Sequence, residues 1–139
     1  MTDKKWKRGL ICGSFDVIHP GYIHLFRDAK SVCDKLIIAL QSDPTVDRPE
    51  KMKPLQSVED RELILRSIRY VDDIVHYTTE KELYQLLQQP DLYDVRILGT
   101  DYINKDYTGK DLNKPEYFHK RDHGYSTTRF KKNIKENTK

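Results

Sequence analysis

The residues Gly13-Ser14-Phe15-Asp16-Val17-Ile18-His19-Pro20-Gly21-Tyr22 hold the densest chemistry in the chain. They follow a short apolar run that ends in Gly13 and precede a stretch with helical apolar spacing. Ser14 and the backbone N–H groups of the turn then stand at a strand end. His19 stands at a helix N-terminus, where unsatisfied N–H groups and the helix dipole favour phosphate. Gly21 lets a ligand approach the helix backbone closely. The string is neither a GxGxxG dinucleotide fingerprint nor a GxxxxGK[ST] phosphate loop.

Four further groups of residues can handle charge. Lys51 and Lys53 lie in a polar, proline-punctuated segment over 42–56, where they are either solvated or able to close over phosphates. Arg61 and Arg69 fall on the helical pattern that follows, as surface arginines within reach of a site. Thr100 and Asp101 follow an apolar run closed by Gly99 and offer both donors and acceptors to a ligand. Arg121 precedes Tyr125, Ser126, Thr127 and Thr128, whose hydroxyls suit a helix start and, with its N–H groups, a phosphate. His24 reads as an exposed helix residue; His76 and His119 read as buried, hydrogen-bonded histidines, the alternative being that they border the pocket.

Positioning these groups requires alternating elements. The apolar runs over 9–13, 36–40, 73–77 and 94–99 read as strands, with a short fifth at 116–119. Helical spacing over 20–32, 57–70, 80–87 and 126–134 separates them; Pro20 suits a first turn. In the second helix Leu63, Ile64, Leu65 and Ile68 are expected to face inward. Such alternation predicts a parallel sheet covered by crossover helices, in a Rossmann-like α/β/α arrangement. Ligands of such sheets sit at the carboxyl ends of the strands.

Composition narrows the function classes. A chain of 139 residues fits a single domain, with 1–8 and 136–139 expected as tails. It is 34% charged and carries a net charge of +3. Lys4, Lys5, Lys7 and Arg8 against Asp3, and Arg129, Lys131, Lys132, Lys135 and Lys139 against Glu136, together exceed that total, so the body between them is acidic. That argues against duplex nucleic acid, which wants a basic face on the folded domain. The basic segment from Lys131 onward is expected to run away from the site. No apolar stretch suits a membrane span or a signal peptide, and Cys12 and Cys33 suit a reduced, cytoplasmic chain.

GSFDVIHPGY resembles the GxFDxxHxGH motif of the cytidylyltransferase-like nucleotidyltransferases. SVEDRELILRSIRYVDDIV over 57–75 and RDHGYSTT over 121–128 are similar to two further stretches of the glycerol-3-phosphate cytidylyltransferases, in the same order. The resemblance implies a nucleotidyltransferase fold and transfer of CMP from CTP to a phosphorylated small alcohol, with Mg²⁺ and release of pyrophosphate, by a homodimer. The alternatives are an ATP-using adenylyltransferase, or a nucleotide-binding module with weak catalysis because Tyr22 replaces the motif's second histidine. His19, Lys53 and Arg121 would be catalytic. Gly13, Ser14, Phe15, Asp16, Gly21, Tyr22, Thr100, Asp101, Tyr125, Ser126, Thr127 and Thr128 would bind the nucleotide, with Phe15 read first as core and Asp16 either bridging to Mg²⁺ or orienting the turn. Lys51, Arg61 and Arg69 would bind substrate. One departure stands out: the motif's second histidine is Tyr22, which donates a hydrogen bond but brings no cation.

Overall fold

The computed structural model describes residues 4–120 and 127–137. In chain order the elements are β1 (Trp6–Gly13), α1 (Pro20–Val32), β2 (Cys33–Gln41), α2 (Val58–Arg66), β3 (Asp73–Tyr77), α3 (Glu80–Leu87), β4 (Val95–Gly99), β5 (Glu116–His119) and α4 (Thr127–Asn137). The five strands form one sheet in the order β3-β2-β1-β4-β5, and every neighbouring pair is parallel. The chain winds one way from β1 to β3, then crosses back to β4 on the other side of β1. The carboxyl ends of β1 and β4 thus flank the switch point, where such sheets hold ligands.

Strand residues alternate between two apolar layers. Ile11, Ile38 and Ile97 meet Phe26 and Ala29 of α1 and Leu65 of α2 on one face. Leu10, Ile37, Ala39 and Tyr77 meet Leu83 and Leu87 of α3 on the other. Because both faces are covered, the central strands read as continuous apolar runs. Caps set the helix starts: Ser57 Oγ accepts the Asp60 N–H at 3.1 Å, and Thr79 Oγ1 accepts the Glu82 N–H at 3.1 Å.

Several expectations need correction. The segment 6–8 is strand, not tail: Trp6 packs edge-on against Tyr117, and Asp94 Oδ2 accepts the Arg8 N–H at 2.9 Å. At the other end, α4 continues through Glu136 to Asn137. Helix α2 stops at Arg66, where the Ser67 hydroxyl bonds back to the Ile64 carbonyl at 2.6 Å and competes with the backbone ladder. Leu63 is 70% exposed, because the inward stripe of α2 runs through Arg61 and Leu65, one helical turn apart. Among the described residues no helix is long and apolar enough to cross a membrane.

Phe26 is fully buried between the rings of Phe15 and Tyr22. Phe26→Ala should cost about 3–5 kcal/mol of unfolding free energy. A urea midpoint unchanged from the wild type would show that this aromatic layer does not hold α1 on the sheet.

Candidate active site

A cleft of about 560 Å³ opens along the carboxyl ends of β1 and β4. Its first wall is the turn from β1 into α1. Gly13, Ser14, Phe15, Asp16, His19, Gly21 and Tyr22, all singled out from sequence, line it together. The turn is strained: Phe15 and Val17 hold φ of 52° and 53°, a region that L side chains, and β-branched ones above all, rarely adopt. Gln56 steadies it by accepting the Val17 N–H on its side-chain oxygen at 3.0 Å.

His19 is the N-cap of α1. Its Nδ1 accepts the Gly21 N–H at 3.1 Å, which places the proton of the neutral ring on Nε2. The Tyr22 ring lies 4.6 Å from the His19 ring, and Phe15 and Phe26 back it at 5.6 and 6.2 Å. The tyrosine that replaces the motif's second histidine is therefore a packed platform beside the first.

Asp16 orients the turn. Its carboxylate accepts the Leu55 N–H at 2.7 Å and the Gln56 N–H at 3.0 Å, and it pairs with Lys131 of α4. Burial alone would raise its pKa, but the bonds from Lys131, Leu55 and Gln56 outweigh that and hold it below the ordinary carboxylate range. With both oxygens committed, Asp16 does not fit a Mg²⁺ ligand. Among the described residues no group of His, Cys, Asp and Glu is placed to cage a metal.

Arg61 is not a surface arginine. It is 1% exposed, and its guanidinium donates to four carbonyls: Ser14 at 2.8 Å, Gln41 at 2.7 Å, Ser42 at 2.6 Å and Gln56 at 3.1 Å. It ties the ends of β1 and β2 to the 42–56 loop with four of its five N–H groups, and it does not line the cleft. Arg69 lies off the cleft, exposed, stacked on Tyr70 and donating to its hydroxyl at 2.9 Å. In the 42–56 loop Arg48 and Lys51 line the cleft and Lys53 does not. Thr100 and Asp101, between the lining residues Gly99 and Tyr102 in sequence, do not line the cleft. Arg121, Tyr125 and Ser126 lie outside the described residues. Thr127 opens α4, and Thr128 lines the cleft.

Lys131, expected to point away, also lines the cleft, with a side chain only 9% exposed. Its spacing from Thr128 is the signal: i and i+3 share a helix face. His119 is buried, as expected. Its Nδ1 lies 2.7 Å from Asp28 Oδ2, while Tyr117 donates to the other Asp28 oxygen at 2.7 Å. Burial and that carboxylate push the Tyr117 phenol up to about 12. His76, expected to be buried, is half exposed and pairs with Glu62 at 2.6 Å.

The α3 side of the cleft was not foreseen. Arg96, the second residue of β4, is 6% exposed and lines the cleft. Glu80, Tyr77 and Thr108 line the same side, and Thr108 donates to Glu80 at 2.8 Å. Burial raises the Cys12 thiol beside them above its ordinary range. An arginine inside an otherwise apolar strand run was the readable signal.

Residues 10–133 match the model of the cytidylyltransferase-like family. The chain is 38% identical to the bifunctional protein HldE of Gluconacetobacter diazotrophicus over 78% of its own length but only 23% of that protein. It is 34% identical to the FAD synthase of Thermococcus kodakarensis, over 82% of this chain and 77% of that one. The fold is similar to that of a lipopolysaccharide core biosynthesis protein from Thermoplasma volcanium, with a TM-score of 0.60 at 20% identity, over 84% of this chain and 97% of that one.

Two substitutions test how the turn is held. Arg61→Met leaves carbonyls at three chain segments unsatisfied and should cost about 3–5 kcal/mol; a loss under about 1 kcal/mol would refute the tie. For Asp16 the sign follows from its lowered pKa: its contribution is present above about pH 4 and fades as pH falls through the folded-state value. Asp16→Asn should therefore lower stability by about 2–4 kcal/mol at pH 7 and much less near pH 3. Urea midpoints at both pH values check this, and an equal gap at both would exclude a role for the charge.

Proposed function

The chain belongs to the cytidylyltransferase-like family of nucleotidyltransferases, and on that premise we propose that it transfers a nucleotidyl group, CMP from CTP in first preference, to a phosphorylated small alcohol such as glycerol-3-phosphate. The observation that carries this reading is His19: it caps α1, its Nδ1 is held by Gly21, and it shares one cleft with Lys51, Thr128 and Lys131. A phosphate oxygen of the acceptor attacks the α-phosphorus in line, the bond from that phosphorus to the bridging oxygen of the β-phosphate breaks, and pyrophosphate leaves with the electron pair. The step needs positioning and charge neutralisation and no covalent protein nucleophile. His19 Nε2–H and the N-terminus of α1 stabilise charge on the triphosphate.

Lys51, on the cleft, takes the loop-lysine role that sequence reading gave to Lys53. Lys131 is held to Asp16 at the same edge and adds positive charge there. Arg121, Ser126, Thr127 and Thr128 serve the β- and γ-phosphates, and Thr100, Asp101 and Tyr125 the base and ribose. Mg²⁺ enters as the counter-ion of the triphosphate, since Asp16 is already committed. A homodimer in the cytoplasm belongs to the same reading.

Two observations keep other readings in view. One relative is an FAD synthase, and FAD contains an AMP unit, which favours ATP. Tyr22 in place of a histidine favours a nucleotide-binding module with weak catalysis. A single experiment separates them: pyrophosphate release with Mg²⁺, each nucleoside triphosphate, and a panel of polyol and sugar phosphates. CTP with glycerol-3-phosphate should support turnover, and His19→Ala should lower kcat by about 10²–10³-fold without loss of fold. Turnover with ATP alone moves the assignment to an adenylyltransferase. Tight nucleotide binding without turnover for any pair moves it to the module, and a His19→Ala variant as fast as the wild type overturns the mechanism.

A further inference from the structure

The α3 side of the cleft carries a buried positive charge that nothing in the site so far described uses. Arg96 projects from β4 to the face covered by α3. Its Nη1 stands 3.3 Å from where a Gly109 Cβ would be, at a point also lined by Leu87. That Nη1 donates to the Thr108 carbonyl at 2.7 Å, and the guanidinium lies 4.9 Å from the centre of the Tyr107 ring. Among the described residues its Nε has no hydrogen-bond partner, and no carboxylate forms an ion pair with it. The acidic groups around it are engaged elsewhere: Thr108 donates to Glu80, with Arg48 4.0 Å away, and Tyr107 donates to Glu116, the residue beside Arg96 in the β4–β5 register. Its other ionisable neighbours, Cys12, Tyr77 and Tyr93, all have pKa values pushed up by burial and stay neutral.

A buried cation without a counter-charge is costly, and the cost is relieved when an anion arrives. The guanidinium edge matches the fork of a phosphate or carboxylate better than any other side chain. The triphosphate groups, His19, Lys51, Thr128 and Lys131, belong to the turn, the loop and α4, whereas Arg96 opens into the cleft from the α3 face. Resting on the function proposed above, we infer that Arg96 is the anchor for an oxyanion of the acceptor. Glu80 and Thr108 beside it receive the acceptor's hydroxyl groups. The acceptor is therefore a polyhydroxy compound with an anionic group bound on the α3 side. That group is either the attacking phosphate or a carboxylate of the same molecule.

Initial rates against each substrate test this in Arg96→Gln and in the charge-conserving Arg96→Lys. Arg96→Gln should raise the acceptor KM at least tenfold and leave the nucleotide KM within twofold; Arg96→Lys should fall between it and the wild type. Comparing glycerol-3-phosphate with 3-phosphoglycerate separates the two oxyanions: a penalty confined to the second assigns Arg96 to the carboxylate, and an equal penalty assigns it to the phosphate. Inorganic phosphate supplies a readout without turnover. With the nucleotide site saturated, it should raise the wild-type melting temperature further and leave that of Arg96→Gln unmoved. An acceptor KM unchanged in Arg96→Gln, or both KM values raised alike, overturns the inference. If no acceptor turns over but the phosphate shift is present and lost in Arg96→Gln, the anion site stands and the acceptor reading fails.

Discussion

Four backbone carbonyls from three separate stretches of chain converge on the guanidinium of Arg61. Strand ends in a parallel sheet leave carbonyls pointing past the last ladder bond, and at a switch point they splay apart. Water would satisfy them in an open cleft. Arg61 does so from within, and in satisfying them it locks the ends of β1 and β2 to the loop that follows. A buried guanidinium suits the task because its five N–H groups lie in one rigid plane. The strained left-handed residues Phe15 and Val17 persist because this lock and the Gln56 side chain over-determine the turn.

The remaining order of the cleft follows from that lock. With the loop held, Asp16 reaches the Leu55 and Gln56 N–H groups, and its remaining capacity draws Lys131 and α4 against the turn. His19 then stands in a fixed ring orientation, set from one side by Gly21 and from the other by Tyr22. The cleft is thus divided by the sheet it crosses. On the side of α1 and α4 positive charge is partly neutralised by Asp16. On the side of α3 Arg48 offsets Glu80, and Arg96 stands against neutral phenols and a neutral thiol.

Much of the fold was legible because its signals are local. Continuous apolar runs, Pro20 at a first helical turn, and the cap residues Ser57 and Thr79 each act within a few residues of themselves. Elements α1, β3, α3 and β5 accordingly lie where periodicity places them. The β1–α1 turn was legible as a site for the same reason: Ser14, Asp16, His19 and Gly21 are neighbours in sequence, so their common cleft follows from one strand end and one helix start. The boundary that failed at Trp6 depends on distant partners, Tyr117 and Asp94, whereas the one at Arg66 turns on the Ser67 hydroxyl, which bonds back to the Ile64 carbonyl and competes with the helix ladder.

The sequence by itself determined the alternation of elements, the parallel sheet, the family and the turn from β1 into α1 that lines the cleft. Tertiary structure alone decided which charges belong to the cleft. Arg61 and Arg69 are the same residue type on neighbouring stretches, yet one is buried among carbonyls and the other lies in solvent. Lys51 and Lys53 differ by two positions, and only the first faces the cleft. Arg96, inside an apolar run, and Lys131, three residues after Thr128, carry local signals, but neither signal says which partners the side chain meets. A long charged side chain is soluble in almost any local structure, so its role depends on which carbonyls, carboxylates or open space the folded chain brings within its reach. That is a property of contacts across tens of residues, such as Arg61 to Ser14 and Lys131 to Asp16, and no local pattern encodes it.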